Sequence, residues 1–156
     1  MSISALVIGY GSIGKRHVEI SVTRTIVSTI AILSGQKNLP YKTISSLDEI
    51  SSLNPDYIVI ASPTNKHFIQ LKYIEENFKE KKILVEKPIF HSIFDFKIQS
   101  NEVYVGYNLR FHPILNKIKA VCDGRDIWNI NVFCGSYLPD WRPDQDYRNS
   151  YSAKKE

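Results

Sequence analysis

Residues 3–14, "ISALVIGYGSIG", set a short apolar run directly against three glycines spaced G-x-G-x-x-G. The run has the length of a buried strand, and the residues after it change to helical spacing. That order constrains the fold more than any other feature of the chain. Gly9 permits a tight turn, Gly11 lets a ligand approach the backbone, and Gly14 lets the helix pack closely on the strand. Ser12 and Ile13 open the helix, where unpaired N–H groups and the dipole favour an anion. The ligand that fits is the pyrophosphate of a dinucleotide; the structural alternative is three glycines that serve only the turn.

The same rhythm continues. A helix over 12–25 carries Ile13, His17, Val18 and Val22, and "TIVSTIAILS" reads as a second strand ending at Ser34. "YKTI" reads as a short edge strand, and Ser46 and Glu49 stand at capping-box spacing before a short helix. "PDYIVIAS" is a strand, followed by an amphipathic helix over 64–82 with Phe68, Leu71, Ile74 and Phe78 on one face. "ILVE" at 83–86 is a further strand, a short helix is expected from Ser92 with Ile93, Phe94 and Phe96 as its apolar content, and "EVYVGYN" is another strand. Strands alternating with helices predict an α/β protein with a doubly wound, Rossmann-type parallel sheet covered on both faces.

Beyond residue 110 the pattern changes. Pro113 suits the first turn of a helix carrying Ile114, Leu115, Ile118 and Val121, which should stop near Asp123–Gly124. "IWNINVFCG" alternates, with Trp128, Ile130, Val132 and Cys134 on one face, as in a half-buried antiparallel strand. The remaining segment has aromatics and prolines but no period. The expected division is a nucleotide-binding domain over 1–115 and, over 116–156, the start of a second α/β domain that these residues leave incomplete.

Composition narrows the function. With 43% hydrophobic and 23% charged residues the chain has the makings of one ordered core rather than a disordered tail. A net charge of +4 mildly favours anionic ligands, but the basic residues are dispersed, which argues against nucleic acid. The densest basic patch, "KEKK" at 79–82, reads as a solvated helix end. Cys122 and Cys134 have neither the count nor the spacing of a disulfide framework or a zinc site, so no metal is expected and both thiols should be reduced. No apolar run is long enough to cross a bilayer and the amino terminus lacks a basic n-region, so a soluble cytoplasmic protein is expected.

An acidic residue is usual about twenty positions after the glycine turn, at the end of the second strand, where it binds a ribose hydroxyl. Here Ser34 occupies that place, Lys37 follows, and the first acid is Asp48. Without a carboxylate to repel a 2′-phosphate, Ser34 and Lys37 favour NADP over NAD, unless Lys37 is simply a loop lysine. After the "PDYIVIAS" strand, Ser62, Pro63, Thr64 and Asn65 fall on the ligand-binding edge, with Thr64 also a candidate helix cap. His17 and His67 lack the partners of a metal site and read as helix-surface or packing residues.

"GYGSIGKRH", "ASPTNKHF", "VEKPIF" and "VGYNLRFHP" stand in order at consecutive expected strand ends. Together they resemble the amino-terminal half of the Gfo/Idh/MocA oxidoreductases, the glucose–fructose oxidoreductase and inositol dehydrogenase family, most firmly over residues 3–113. The resemblance implies that Gly9, Gly11, Ser12, Ile13 and Gly14 hold NAD(P), with Ser62, Pro63, Thr64, Asn65 and His67 beside the nucleotide. It makes Glu86, Lys87 and Pro88 the family's E-K-P, whose lysine belongs to the catalytic centre and whose proline commonly follows a cis peptide; Pro88 is otherwise an ordinary strand terminator. Asn108 falls at the cofactor side of the cleft and Arg110 at the substrate side, with Trp141 and Arg142 as further substrate contacts or as domain-surface packing.

By the same likeness the reaction is hydride transfer between nicotinamide and a carbon of a sugar, cyclitol or nucleotide-sugar-like polyol, with Lys87 polarising the oxygen. Homo-oligomers are common in the family. The aspartate and histidine, four residues apart, that complete its catalytic group do not occur before Glu156. Two further readings therefore stand beside the enzyme: a catalytically silent nucleotide-binding or regulatory module, and a non-functional truncated product.

Overall fold

Ala5–Ile8 are buried on both faces, which is the environment of a central strand in a sheet covered on both sides. The computed structural model describes residues 2–24, 27–141, 143 and 146–149, apart from the side chains of Leu138 and Trp141. Packing divides the chain into two units, Met1–His112 and Pro113–Glu156.

In the first unit six parallel strands, β1 (Ile3–Ile8), β2 (Val27–Leu33), β3 (Lys42–Ile44), β4 (Tyr57–Ile60), β5 (Lys82–Val85) and β6 (Glu102–Val105), lie in the order β3-β2-β1-β4-β5-β6. The helices are α1 (Ser12–Val22), α2 (Ile50–Leu53) and α3 (Thr64–Asn77). Strand alternation sorts the core into two layers. Leu6, Ile8, Ile58, Ile60, Ile83 and Val85 face Leu71 and Ile74 of α3 and Ile50 of α2. Val7, Ile32, Val59 and Ala61 face Val18 of α1, with Tyr57 and Leu84 packed at the margin. Full burial of each large aliphatic side chain contributes roughly 1.5–3 kcal/mol, so these two layers fix the sheet.

Several expected elements form with shifted ends. The first helix stops at Val22, the second strand spans Val27–Leu33 with 25 and 26 outside the described residues, and the expected 102–108 strand ends at Val105 before a 3-10 turn over Asn108–Phe111. The Glu49 carboxylate accepts from the Ser45 and Ser46 N–H groups at 2.9 and 3.0 Å, as the capping-box spacing anticipates. Pro63, not Thr64, takes the N-cap position of α3.

The helix expected from Ser92 does not form. Instead Phe94 stacks on Phe68 of α3 at 3.8 Å, while Phe90 and Phe96 meet that ring edge-on at 5.4 and 5.6 Å. Aromatic burial against α3 outweighs the weak local helical preference, and Ile93 is left exposed.

The segment is also pinned through Glu75 of α3, whose carboxylate accepts from the Gln99 N–H and the Asn101 amide, both at 2.7 Å, and from the Ser100 N–H. Partial burial raises the carboxyl pKa, but these three donors outweigh it and hold the group below its ordinary 4.5. Because the folded pKa is depressed, the stabilisation is complete above the unfolded value and is lost as pH falls through the folded one. Discounted for solvent screening, Glu75→Ala is expected to lower unfolding free energy by about 1–2 kcal/mol at pH 7. In urea titrations the gap from wild type should close at a pH below 4.5; a gap unchanged with pH would refute this account.

In the second unit, α4 (Pro113–Cys122) ends just before Asp123–Gly124 as expected, and α5 spans Leu138–Trp141. The strand expected over 127–135 is not formed among the described residues, and Trp128 and Phe133 are 95% and 99% exposed. An alternating segment becomes a strand only when a neighbour completes its hydrogen-bond ladder.

Candidate nucleotide site

Parallel strands bring all their carboxyl ends to one edge, so the turns carrying the sequence motifs gather there. The strand order reverses between β1 and β4, which makes the crevice beside Gly9–Gly14 and Ala61–Asn65 the switch point of the sheet. Contact between these turns is close: a Cβ on Gly9, whose φ is +96°, would stand 2.7 Å from the Ser62 nitrogen and 2.8 Å from the Ala61 oxygen. A Cβ on Gly14 would run into the Gly9 carbonyl oxygen. Gly11 differs, with open space around its Cβ position and ordinary extended backbone at φ −78°, ψ −167°. Two of the three glycines are thus demanded by the fold, whereas Gly11 leaves room that the protein itself does not fill.

Helices α1 and α3 both begin at this crevice, at Ser12 and Thr64. Neither has a side-chain cap or an acid in its first turn, so their leading N–H groups and positive dipole ends meet no competition from their own side chains. Ser12 and Ile13 are exposed in the first turn of α1, and Pro63 and Asn65 are exposed beside half-buried Ser62 and Thr64. Lys15 in the same turn of α1 lies 5.6 Å over the Tyr10 ring. Next along the edge, Ser34 follows β2 with its hydroxyl accepting from the Gln36 N–H at 3.1 Å, which leaves its own O–H to donate, and Lys37 is exposed. The first acid after Ser34, Asp48, accepts from the Tyr73 hydroxyl at 3.0 Å.

After β5, alternation places Glu86 on the α1 face. There it accepts from His17 Nε2 at 2.8 Å through Oε1 and from the Lys87 N–H at 3.2 Å through Oε2. Glu86 therefore braces backbone and helix instead of folding back on its neighbour's ammonium. Burial, helped by the Glu86 charge, raises the pKa of the Tyr57 hydroxyl. On the opposite face, His67 of α3 is 1% exposed and sits among carbonyls: Nε2 lies 2.8 Å from the Ser62 oxygen, and Nδ1 lies 3.1 and 3.2 Å from those of Pro88 and Ile89. The Lys87–Pro88 peptide is cis, and the Lys87 side chain is exposed. Asn108 and Arg110 occupy the 3-10 turn after β6, both exposed, with the Arg110 guanidinium 5.5 Å over the Phe111 ring. Trp141 closes α5, while its side chain and the whole of Arg142 lie outside the described residues.

Sequence reasoning missed His17 and Gly106. His17 falls beside the buried stripe of Gly14, Val18 and Ser21, a position that aims it along the sheet. Gly106 follows the Val85–Val105 pair, donates its N–H to the Val85 oxygen at 2.8 Å and gives the Glu86 carboxylate its space, since a Cβ there would lie 3.2 Å from Oε1. Among the described residues, no group of three His, Cys, Asp or Glu side chains is arranged to hold a metal, and no helix is long and apolar enough to cross a membrane.

The strand order, the glycine turn and the two uncapped helix ends define a Rossmann-type nucleotide-binding unit. Residues 3–100 match the family model of the Gfo/Idh/MocA oxidoreductases, described as the oxidoreductase family's NAD-binding Rossmann fold; the chain belongs to this family. It is 28% identical over 159 aligned positions to the uncharacterized oxidoreductase YrbE of Bacillus subtilis, covering 90% of this chain and 46% of that protein. Apo scyllo-inositol dehydrogenase from Lactobacillus casei superposes with a TM-score of 0.66 at 21% identity, over 78% of this chain and 41% of that one. The WlbA dehydrogenase from Bordetella pertussis, in complex with NADH and UDP-GlcNAcA, gives 0.65 at 20% identity, over 78% and 42%. The chain thus spans less than half the length of these relatives.

Proposed function

We propose that this chain binds NADP or NAD at the β1–β4 crevice and forms the cofactor-binding part of an oxidoreductase acting on a sugar, cyclitol or nucleotide-sugar-like polyol. The observation that carries the reading is the uncapped amino terminus of α1 with open space at its N-cap Gly11, next to a Gly9 turn that packs on the Ala61–Ser62 segment leading into the uncapped α3. The pyrophosphate lies against the N–H groups of Gly11, Ser12 and Ile13, with Gly9 and Gly14 holding the turn closed behind it. Ser62, Pro63, Thr64 and Asn65 line the other side. Glu86, Lys87, Pro88 and Asn108 flank the nicotinamide end, and Lys87 is the catalytic residue, a cation at the strand edge suited to stabilise negative charge developing on a substrate oxygen. Arg110, Trp141 and Arg142 are assigned to the substrate. The substrate class follows the names of the relatives, which act on scyllo-inositol or hold a nucleotide sugar.

The bound cofactor supplies the hydride chemistry; the chain's own part is to orient the nicotinamide end and to place one cation beside the reacting oxygen. Fluorescence titration with NADH and NADPH tests binding, and absence of binding by either at millimolar concentration would overturn the proposal. Turnover with a polyol would separate an enzyme from a silent nucleotide-binding module.

With Ser34 and Lys37 at the ribose position and no carboxylate there, NADPH is expected to bind more tightly than NADH. Lys37→Ala should weaken NADPH about fivefold, the scale of one exposed ion pair, and leave NADH unchanged. An NADH affinity equal to or above that for NADPH in the unaltered chain would remove this assignment.

A further inference from the structure

Lys87 stands on a turn whose two flanks are each gripped by an imidazole from a different helix. On the α1 face, His17 takes one oxygen of Glu86 at 2.8 Å while the other oxygen accepts from the Lys87 N–H. On the α3 face, His67 reaches the carbonyls of Pro88 and Ile89 and, through its other nitrogen, that of Ser62. These contacts join three parts of the nucleotide crevice to the residue between them: the glycine-turn helix, the loop after β4, and the Lys87 turn. Glu86 and His17 are both half-buried, with side-chain exposures of 14% and 19%, and Gly106 keeps a Cβ away from the carboxylate. Every partner of His67 is a carbonyl oxygen, so whichever ring nitrogen carries the proton donates, and a hydrocarbon ring of similar size would remove that donor.

We propose that His17 and His67 are positioning residues that clamp the Glu86–Ile89 turn from opposite faces of the sheet and so set where the Lys87 amine stands against bound dinucleotide. The inference rests on the nucleotide-site reading above and goes beyond it by tying occupancy of the glycine turn to the placement of Lys87. An anion pulling on the start of α1 moves the helix that carries His17. The pull reaches Lys87 through Glu86 without either residue touching the phosphates.

The test uses the whole chain with its lysines reductively dimethylated with 13C, a modification that keeps their charge, and the Lys87 methyl resonance assigned by Lys87→Arg. NADH is the probe, or NADPH if it binds more tightly. Addition of the probe is expected to shift this resonance in the unaltered chain. His17→Ala should remove at least about two-thirds of that shift, and His17→Gln, which retains an N–H donor for Glu86, should restore most of it. His91→Ala, at an exposed histidine that meets the Phe94 ring edge-on, should behave as the unaltered chain. His67→Phe, which removes the donor, should reduce the shift as His17→Ala does; should that buried variant fail to fold, the half-buried His17 series decides alone. An undiminished Lys87 shift in His17→Ala, or equal loss in His17→Ala and His17→Gln, would overturn the clamp. Failure of the unaltered chain to bind either dinucleotide is a separate result, which removes the nucleotide reading itself.

Discussion

Gly14→Ala is expected to remove roughly 3–5 kcal/mol of the stability of the amino-terminal unit. The added methyl would be driven into the Gly9 carbonyl oxygen, with the Ala61 Cβ 3.7 Å away on the other side. Neither obstacle yields cheaply. The Gly9 N–H donates to the Leu33 oxygen at 2.9 Å, and the Ala61 N–H donates to that of Ile8 at 2.8 Å, so both turns are fastened to strands of the central sheet. Relief requires α1 to lift from β1, which withdraws fully buried Val18 from Val7, Ile32, Val59 and Ala61. Ordinary overpacking costs about 1–3 kcal/mol, and the lost burial of Val18 adds about 1.5 or more. A cost of roughly 3–5 kcal/mol is a large part of the usual 5–15 kcal/mol of domain stability. Urea unfolding followed by circular dichroism measures it; a midpoint within about 0.3 M of wild type, at the usual urea slope, would mean that α1 does not approach β1 this closely.

What could be read from the sequence was whatever local periodicity fixes. Ala5–Ile8 and Ile58–Ile60 are apolar without alternation because both faces of those strands are covered, and the alternation of such strands with helical segments called for a parallel sheet. The ends of β1, β4 and β5 were legible for the same reason, and with them the edge on which Gly11, Ser62 and Lys87 lie. A helix from Ser92 would put Phe94 and Phe96, two residues apart, on different faces, whereas the non-helical chain lets both reach Phe68 together with Phe90, a contact that sequence proximity does not reveal. Residues 127–135 do alternate, but a strand's stability resides in its neighbour. His17 is the instructive omission. Its value lies in a contact 69 residues away, and only the register that puts Leu84 and Glu86 on the α1 face brings the two together.

Gly11 is the position where fold and ligand part company, and Gly11→Ala is expected to leave the fold intact while weakening dinucleotide binding. Its backbone at φ −78°, ψ −167° suits any residue, and among the described residues nothing but its chain neighbours lies within 4 Å of the added methyl. Loss of stability should stay below about 1 kcal/mol, the scale of a poorer residue at a helix N-cap. The methyl would instead occupy the space in which a pyrophosphate meets the N–H groups at the start of α1. A steric penalty of about 1–3 kcal/mol corresponds to roughly 5- to 150-fold weaker NADH or NADPH binding. The pair of glycine variants therefore separates two meanings of one motif: Gly14→Ala should fail in denaturant, whereas Gly11→Ala should fail only in the cofactor titration. If Gly11→Ala instead binds the dinucleotide as wild type does, the phosphates do not lie against this turn, and the ligand must be sought elsewhere on the carboxyl edge of the sheet.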